Sequence, residues 1–281
     1  MPMGISNDAL HIRLSNNLGK TNSKLSDNLK RLSTGRRINE ASNDAAGLAV
    51  ATALESQSSA LGQSLSNIHS GVSMLNVADG GLHQVSQLLD RGKQLAMQAT
   101  SGTLDSNARK AINAEFNSIK KEITRISDST EFNGTKLING NLSANSANPV
   151  DVQVGPSTEA SNKISLNVIE GASSSQLGVE NLDLSTADSA RNALGALDTA
   201  LTRVTSNRGN IGALTNRFSQ ASSHLGISIE NLTAAASSIM DLDYATETAS
   251  FSRNQILQTA GISSLAKSNL NTMGQLLNIK A

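Results

Sequence analysis

The chain has 281 residues, no cysteine, and 23 Lys+Arg balanced by 23 Asp+Glu. Disulfides, thiolate metal sites and cysteine nucleophiles are thereby excluded, and the cancelled charge argues against a polyanion-binding surface, so nothing points to nucleic acid. Aromatic residues are only 2% of the total, with no Trp and one Tyr, whereas compact cores of this size ordinarily use many large rings.

The first residues, Met1-Pro2-Met3-Gly4-Ile5-Ser6-Asn7-Asp8, lack the basic stretch and apolar core of a cleavable secretory signal. No run of about 18 apolar residues predicts a membrane span. Residues 5–32 set Ile5, Ala9, Ile12, Leu18, Leu25, Leu29 and Leu32 among Asn, Ser and Lys, a thin apolar stripe. The basic cluster Lys30-Arg31 with Arg36-Arg37 straddles Gly35, a helix-ending residue, and reads as a solvated or subunit-facing turn.

Helical periodicity then dominates. Leu61, Leu65, Ile68, Val72 and Leu75 follow steps of four and three, and the stripe resumes at Leu82, Val85 and Leu89, a coiled-coil-like seam. Asp105-Ser106-Asn107 can start a further helix carrying Ile112, Phe116, Ile119, Ile123 and Ile126. Residues 131–185 change character, with Asn133-Gly134 and Asn139-Gly140 turn pairs; Val150–Val154 and Lys163–Val168 alternate like strands, predicting one β-hairpin with loops. The longest stripe follows: Leu194, Leu197, Leu201, Val204, Ile211, Phe218, Leu225, Ile229, Leu232 and Ile239, interrupted by Arg208, Thr215 and Ser222 without a change of phase. A helix of that span is on the order of 70 Å long, so an elongated molecule is expected. Residues 251–277 return to a thin stripe of Phe251, Leu257, Leu265, Met273 and Leu277.

Segments with so little apolar surface come out near zero in stability at about 25 cal/mol per Å² against about 1.5 kcal/mol per ordered residue. Both ends are therefore expected to be disordered alone and to fold as paired helices on assembly. Catalytic patterns are missing: His11, His69, His83 and His224 are scattered, with no His-Glu-x-x-His, Gly-x-Ser-x-Gly or phosphate-loop sequence. Asp241, Asp243 and Glu247 lack the glycine and terminal glutamate of a calcium loop and read as helix caps. The Asn-x-Ser/Thr triplets at Asn133, Asn141 and Asn231 are short enough to arise by chance.

Residues 32–50 read Leu-Ser-Thr-Gly-Arg-Arg-Ile-Asn-Glu-Ala-Ser-Asn-Asp-Ala-Ala-Gly-Leu-Ala-Val, which resembles the N-terminal signature of bacterial flagellins. Asp243-Tyr244-Ala245-Thr246-Glu247-Thr248, then Ser252-Arg253-Asn254-Gln255-Ile256-Leu257-Gln258-Thr259-Ala260-Gly261, resembles their C-terminal signature, where a second Gln is commoner than Thr259. The resemblance spans about residues 1–140 and 190–281, leaving no room for the variable outer domains of longer members.

It implies a mainly α fold: an elongated rod of long coiled-coil-like helices with a small β-hairpin, and N- and C-terminal helices paired. Residues 1–43 would form the N-terminal helix of a filament-core coiled coil and 44–130 the N-terminal helices of a rod domain. Residues 131–190 would supply its hairpin and loops, 191–239 its C-terminal long helix, and 240–281 the C-terminal core helix. The implied function is that of a structural subunit, not an enzyme, without a cofactor. It would leave the cell by type III export and polymerise with copies of itself into an extracellular filament for swimming. Self-assembly would fall to Ile5, Ile12, Leu18, Leu25, Leu29, Leu32, Phe251, Leu257, Leu265, Met273 and Leu277.

Implied partners are an export chaperone on residues 240–281, hook-associated and cap proteins, and a vertebrate Toll-like receptor. Arg91 and Leu95 match the receptor motif and Glu115 falls where its glutamate is expected, although Gly92 and Lys93 replace the usual Val-Arg. The rival reading is a hook–filament junction protein, which shares similar termini.

Overall fold

The computed structural model describes residues 3–146 and 149–278, with side chains placed for 9–146 and 149–270. Five helices carry most of the chain: α1 (Met3–Thr34), α2 (Ala45–Ala99), α3 (Ser106–Ser129), α4 (Ala187–Met240) and α5 (Tyr244–Asn278). None contains proline: Pro149 and Pro156 flank short strands, where a missing N–H costs least. At 1.5 Å per residue, the 55-residue α2 and 54-residue α4 are each about 80 Å long. The latter starts at Ala187, ahead of the expected 191.

The chain divides into two units, Gln57–Glu230 and a second made of Met1–Ser56 with Asn231–Ala281. The first unit holds the main core. All five periodic residues of α3 are buried, together with Leu61, Ile68, Leu75, Leu82, Val85 and Leu89 of α2 and Leu197, Val204, Ile211, Phe218 and Leu225 of α4. Helix α3 begins where Asp105 Oδ1 accepts the Ala108 N–H at 2.7 Å, satisfying one of the free amides of its first turn. Arg109 closes the preceding end by donating to the carbonyls of Ala99 (3.0 Å) and Ser101 (2.8 Å).

Arg208 interrupts the α4 stripe because it has a partner: its Nε and Nη2 grip Asp79 of α2 at 2.8 and 3.3 Å. Glycines on α2 let bulky neighbours approach. A Cβ at Gly92 would stand 3.1 Å from the Phe116 ring, and one at Gly71 would stand 3.2 Å from that of Phe218. The helix propensity lost at Gly92 is thus exchanged for close packing of a buried ring.

Residues 130–186 hold two hairpins rather than the one expected. The first joins β1 (Glu131–Phe132) to β2 (Thr135–Lys136) through Asn133 (φ 49°) and Gly134 (φ 77°), a left-handed pair suited to a two-residue turn. The second pairs β3 (Asp151–Gln153) with β4 (Lys163–Ser165), antiparallel, with Val152 opposite Ile164; further backbone bonds extend it at Val154–Asn162 and Leu166–Val150. The rest of this stretch is clipped to the helices. Asn207 exchanges both amide bonds with the backbone of Glu170, and Lys120 donates to the carbonyls of Glu180 and Leu182 at 2.8 Å each. Leu137, Ile138, Leu142, Leu166 and Ile169 are fully buried, so the stretch belongs to the core.

Gly81 sits where this stretch presses closest, and a Cβ there would lie 2.7 Å from Thr130 Oγ1 and 3.0 Å from Ile138 Cδ1. Gly81→Ala is expected to destabilise the chain by about 1–3 kcal/mol despite the better helix former, as read from urea unfolding. A stability gain would show that Thr130 and Ile138 yield freely.

Candidate assembly surface

In the unit built from both chain ends, α1 and α5 pack side by side. Asn28 meets Glu247, Asn22 meets Gln258, and Leu18 lies beside Gly261, so the two helices run antiparallel. The facing positions follow steps of three and four: Leu14, Leu18, Thr21, Leu25, Asn28 and Leu32 on α1, and Glu247, Phe251, Asn254, Gln258, Gly261 and Leu265 on α5. Leu18, Leu25, Leu32, Phe251 and Leu265 are half-buried there, among amides, a glycine and a carboxylate. At Gly261 the seam opens beside Leu14, Leu18 and Leu257 into a groove of about 330 Å³.

The terminal stripe expected to be one surface is therefore two. Ile12 (60% exposed) and Leu29 are exposed and Leu257 stands half-open at the lip of the groove, while the side chains of Ile5, Met273 and Leu277 lie outside the described residues. Sequence reasoning missed the most outward apolar residues, Ile256 (69% exposed) and Leu270 (67%), with Ile262 and Leu10. Their signal was present, because Ile256 and Leu270 recur fourteen residues apart, on the side of α5 opposite Phe251 and Leu265.

The entrances to the two helices are joined by backbone. Arg37 N–H donates to the Met240 carbonyl (2.7 Å) and Leu242 N–H to that of Gly35 (3.0 Å), bridging Arg36 to Asp241. Gly35 has φ 70°, a left-handed end to α1 that any side chain would resist. The basic cluster is spent on this turn: Lys30 pairs with Glu40, Arg36 with Glu55, and Arg37 donates to the Ile239 carbonyl. The pairing with Glu40 raises the Lys30 pKa and lowers that of the glutamate.

The three carboxylates with a passing likeness to a calcium loop each have a separate partner. Asp241 accepts from the Ser237 hydroxyl, Glu247 from Asn28, and Asp243 from the Thr246 hydroxyl (2.7 Å) and the N–H groups of Ala245 and Thr246. Among the described residues no cluster of His, Asp or Glu could hold a metal ion, and no helix is long and apolar enough to cross a membrane.

The residues matched to receptor recognition are split by burial. Arg91 and Glu115 are exposed and joined by Nε and Nη2 at 3.0 and 2.7 Å. Leu95 shares the helical face of Arg91 but is 2% exposed, packed into the core, so the three do not present one open surface.

Long helices with a shared core, and chain ends that pair on a polar seam while holding apolar side chains outward, define a helical subunit of a self-assembling structure. Residues 5–143 match the bacterial flagellin N-terminal helical region and residues 194–278 the bacterial flagellin C-terminal helical region. The chain is 33% identical over 266 residues to the flagellar filament 30.7 kDa core protein of Treponema maltophilum, covering 92% of this chain and 93% of that one. It is 34% identical to the flagellin of Bacillus subtilis over 296 residues, covering 95% and 96%. This chain belongs to the bacterial flagellin family. A solved putative flagellar hook-associated protein from Vibrio parahaemolyticus shares the fold, with a TM-score of 0.58 at 16% identity over 71% of this chain and all of that one.

The hydrogen bonds to Asp243, the Thr246 hydroxyl first, hold its pKa below the ordinary 3.8. A depressed folded-state pKa gives stability that is present above the unfolded value and lost as pH falls through the folded one. Asp243→Asn keeps a cap without the titration. The stability difference between the native chain and this variant is therefore expected to shrink as pH drops below 3.8, measured by circular dichroism melts at stepped pH. A difference constant with pH would remove the charge from the account of this cap.

Proposed function

We propose that this chain is the structural subunit of a bacterial flagellar filament, polymerising with copies of itself through the outer faces of its terminal helices. The observation that carries the reading is the inversion on α5. Its side toward α1 sets Phe251 and Leu265 among Glu247, Asn254, Gln258 and Gly261, while its far side exposes Ile256 and Leu270. Burying such side chains against neighbours is worth about 1.5–3 kcal/mol each and is repeated in every subunit of a polymer. The half-polar seam is too weak to hold the ends firmly alone, so their full ordering is coupled to assembly.

The finer partners follow from the same surface. A chaperone would bind residues 240–281, where Ile256, Ile262 and Leu270 stand exposed, before type III export. Hook-associated and cap proteins would meet the filament's two ends, and the filament would stand outside the cell. The family is structural, so the work done is transmission of torque rather than chemistry. Purified chain seeded with filament fragments is expected to grow long smooth filaments under the electron microscope. Ile256→Ser with Leu270→Ser should abolish growth while leaving the urea midpoint of the 57–230 core unchanged. Growth at the native rate would sink the outer-face reading, and short caps on the seeds would favour the junction protein.

Receptor recognition is the second proposed role, centred on the exposed Arg91–Glu115 pair, with Leu95 shaping that surface from within the core. Arg91→Ala is expected to weaken Toll-like receptor signalling by soluble chain at least about tenfold, a loss of roughly 1.4 kcal/mol. Signalling at the native level would rule it out.

A further inference from the structure

The most deeply buried groups on the α1–α5 seam are polar. Asn28 is 5% exposed and Glu247 is 8% exposed. Asn28 Nδ2 donates to Glu247 Oε1 at 2.7 Å, and its Oδ1 accepts from Asn254 Nδ2 at 3.0 Å. An Arg31 guanidinium nitrogen stands 4.0 Å from the other Glu247 oxygen. A second amide pair, Gln258 Nε2 to Asn22 Oδ1, lies further along at 2.7 Å. Buried amides and carboxylates on a helical seam cost stability and return specificity.

What needs excluding is visible on α1. Leu14, Leu18, Leu25 and Leu32 form a leucine stripe that two copies of α1 could share. In such a pair Asn28 would lose its charged acceptor Glu247 and its donor Asn254, and at best would meet the other copy's Asn28. Two copies of α5 would bury Glu247 without Asn28 or Arg31. Size complementarity points the same way, because Leu18 packs where α5 has Gly261, a Cβ there lying 3.2 Å from Leu18 Cδ1. The α1–α5 pair alone brings Asn28 and Arg31 to Glu247 and sets Leu18 against a glycine.

We propose that the Asn28–Glu247–Asn254 cluster selects the pairing partner, committing α1 to α5 and barring like-with-like pairing between copies. Chains that expose their ends at high local concentration need such a choice, because an α1–α1 pair would consume subunits without extending any lattice. The proposal rests on the paired-helix geometry and not on the filament reading, so it is decided in soluble chain whether or not filaments grow.

The absence of cysteine makes the test clean. Leu18→Cys with Gly261→Cys reports the intrachain α1–α5 pair as an internal disulfide, and Leu25→Cys alone reports α1–α1 pairing as a covalent dimer. With Asn28 in place, the internal disulfide is expected and the dimer is scarce. Adding Asn28→Leu removes the bond to the Glu247 carboxylate that favours α1–α5. It should raise the dimer yield roughly tenfold or more, the lower range of what a hydrogen bond to a charged group is worth, and depress the internal disulfide. Glu247→Gln, which keeps an acceptor for Asn28, should leave both yields near their starting values. Unchanged yields with Asn28→Leu would overturn the proposal, as would more internal disulfide without dimer. Loss of both crosslinks together with helix content, read by circular dichroism, would also overturn it, because the cluster would then hold the pair rather than choose it.

Discussion

The two terminal helices must lie against each other, yet the sides they turn together are poor in apolar surface. Across the seam, Leu18 meets a glycine, Asn28 meets Asn254, and the best-buried contact is an amide on a carboxylate. Hydrogen bonds there are satisfied, and among the described residues no buried side-chain nitrogen or oxygen lacks a partner. Net gains from such bonds are only about 0.5–1.5 kcal/mol each, against the entropy of ordering helices of 32 and 35 residues. The apolar residues that could have strengthened the pair sit on its outside. A weak inside and an exposed apolar outside is the balance on which the proposed assembly rests.

The 57–230 unit solves the opposite problem. Its helices meet on rows of Leu, Ile, Val and Phe, and two glycines of α2, Gly71 and Gly92, admit aromatic rings. The irregular stretch between α3 and α4 is fixed by side chains that imitate backbone: Asn207 doubles as a strand neighbour for Glu170, and Asn113 both donates to Asp183 and accepts from the Leu184 N–H. A chain with 2% aromatic residues still builds a dense core because Phe116 and Phe218 each fill the space opposite a glycine.

Much of this was legible in the sequence where the physics is simple. Ile112, Phe116, Ile119, Ile123 and Ile126 repeat at helical spacing, and all five are buried. The phase of the α4 stripe survives Arg208 because Asp79 waits on the facing helix, a pairing that no local pattern can announce. The termini were harder, since a search for apolar periodicity merges Ile12 and Leu29, which are exposed, with Leu25 and Phe251, which are half-buried. The true register runs through Thr21, Asn28, Asn254 and Gln258, residues that carry no hydrophobic signal. Leu95 shows a further limit: four-residue spacing puts it on the same face as Arg91, but only the packing of α2 decides that one is buried and the other wet. The Asn133-Gly134 hairpin was readable as a turn, and its strands of two residues each were too short to show alternation.

The bridge between Arg36 and Asp241 has a mechanical reading. Both tails leave the rest of the chain through one point, laced by main-chain bonds of 2.7 and 3.0 Å. A pull on either tail is therefore shared with the other before it reaches α2 or α4, and it loads these bonds together rather than one after another. Main-chain lacing does not depend on the rotamers of long side chains or on ionic strength. The joint between the two terminal helices is thus made of the least adjustable bonds the polypeptide has.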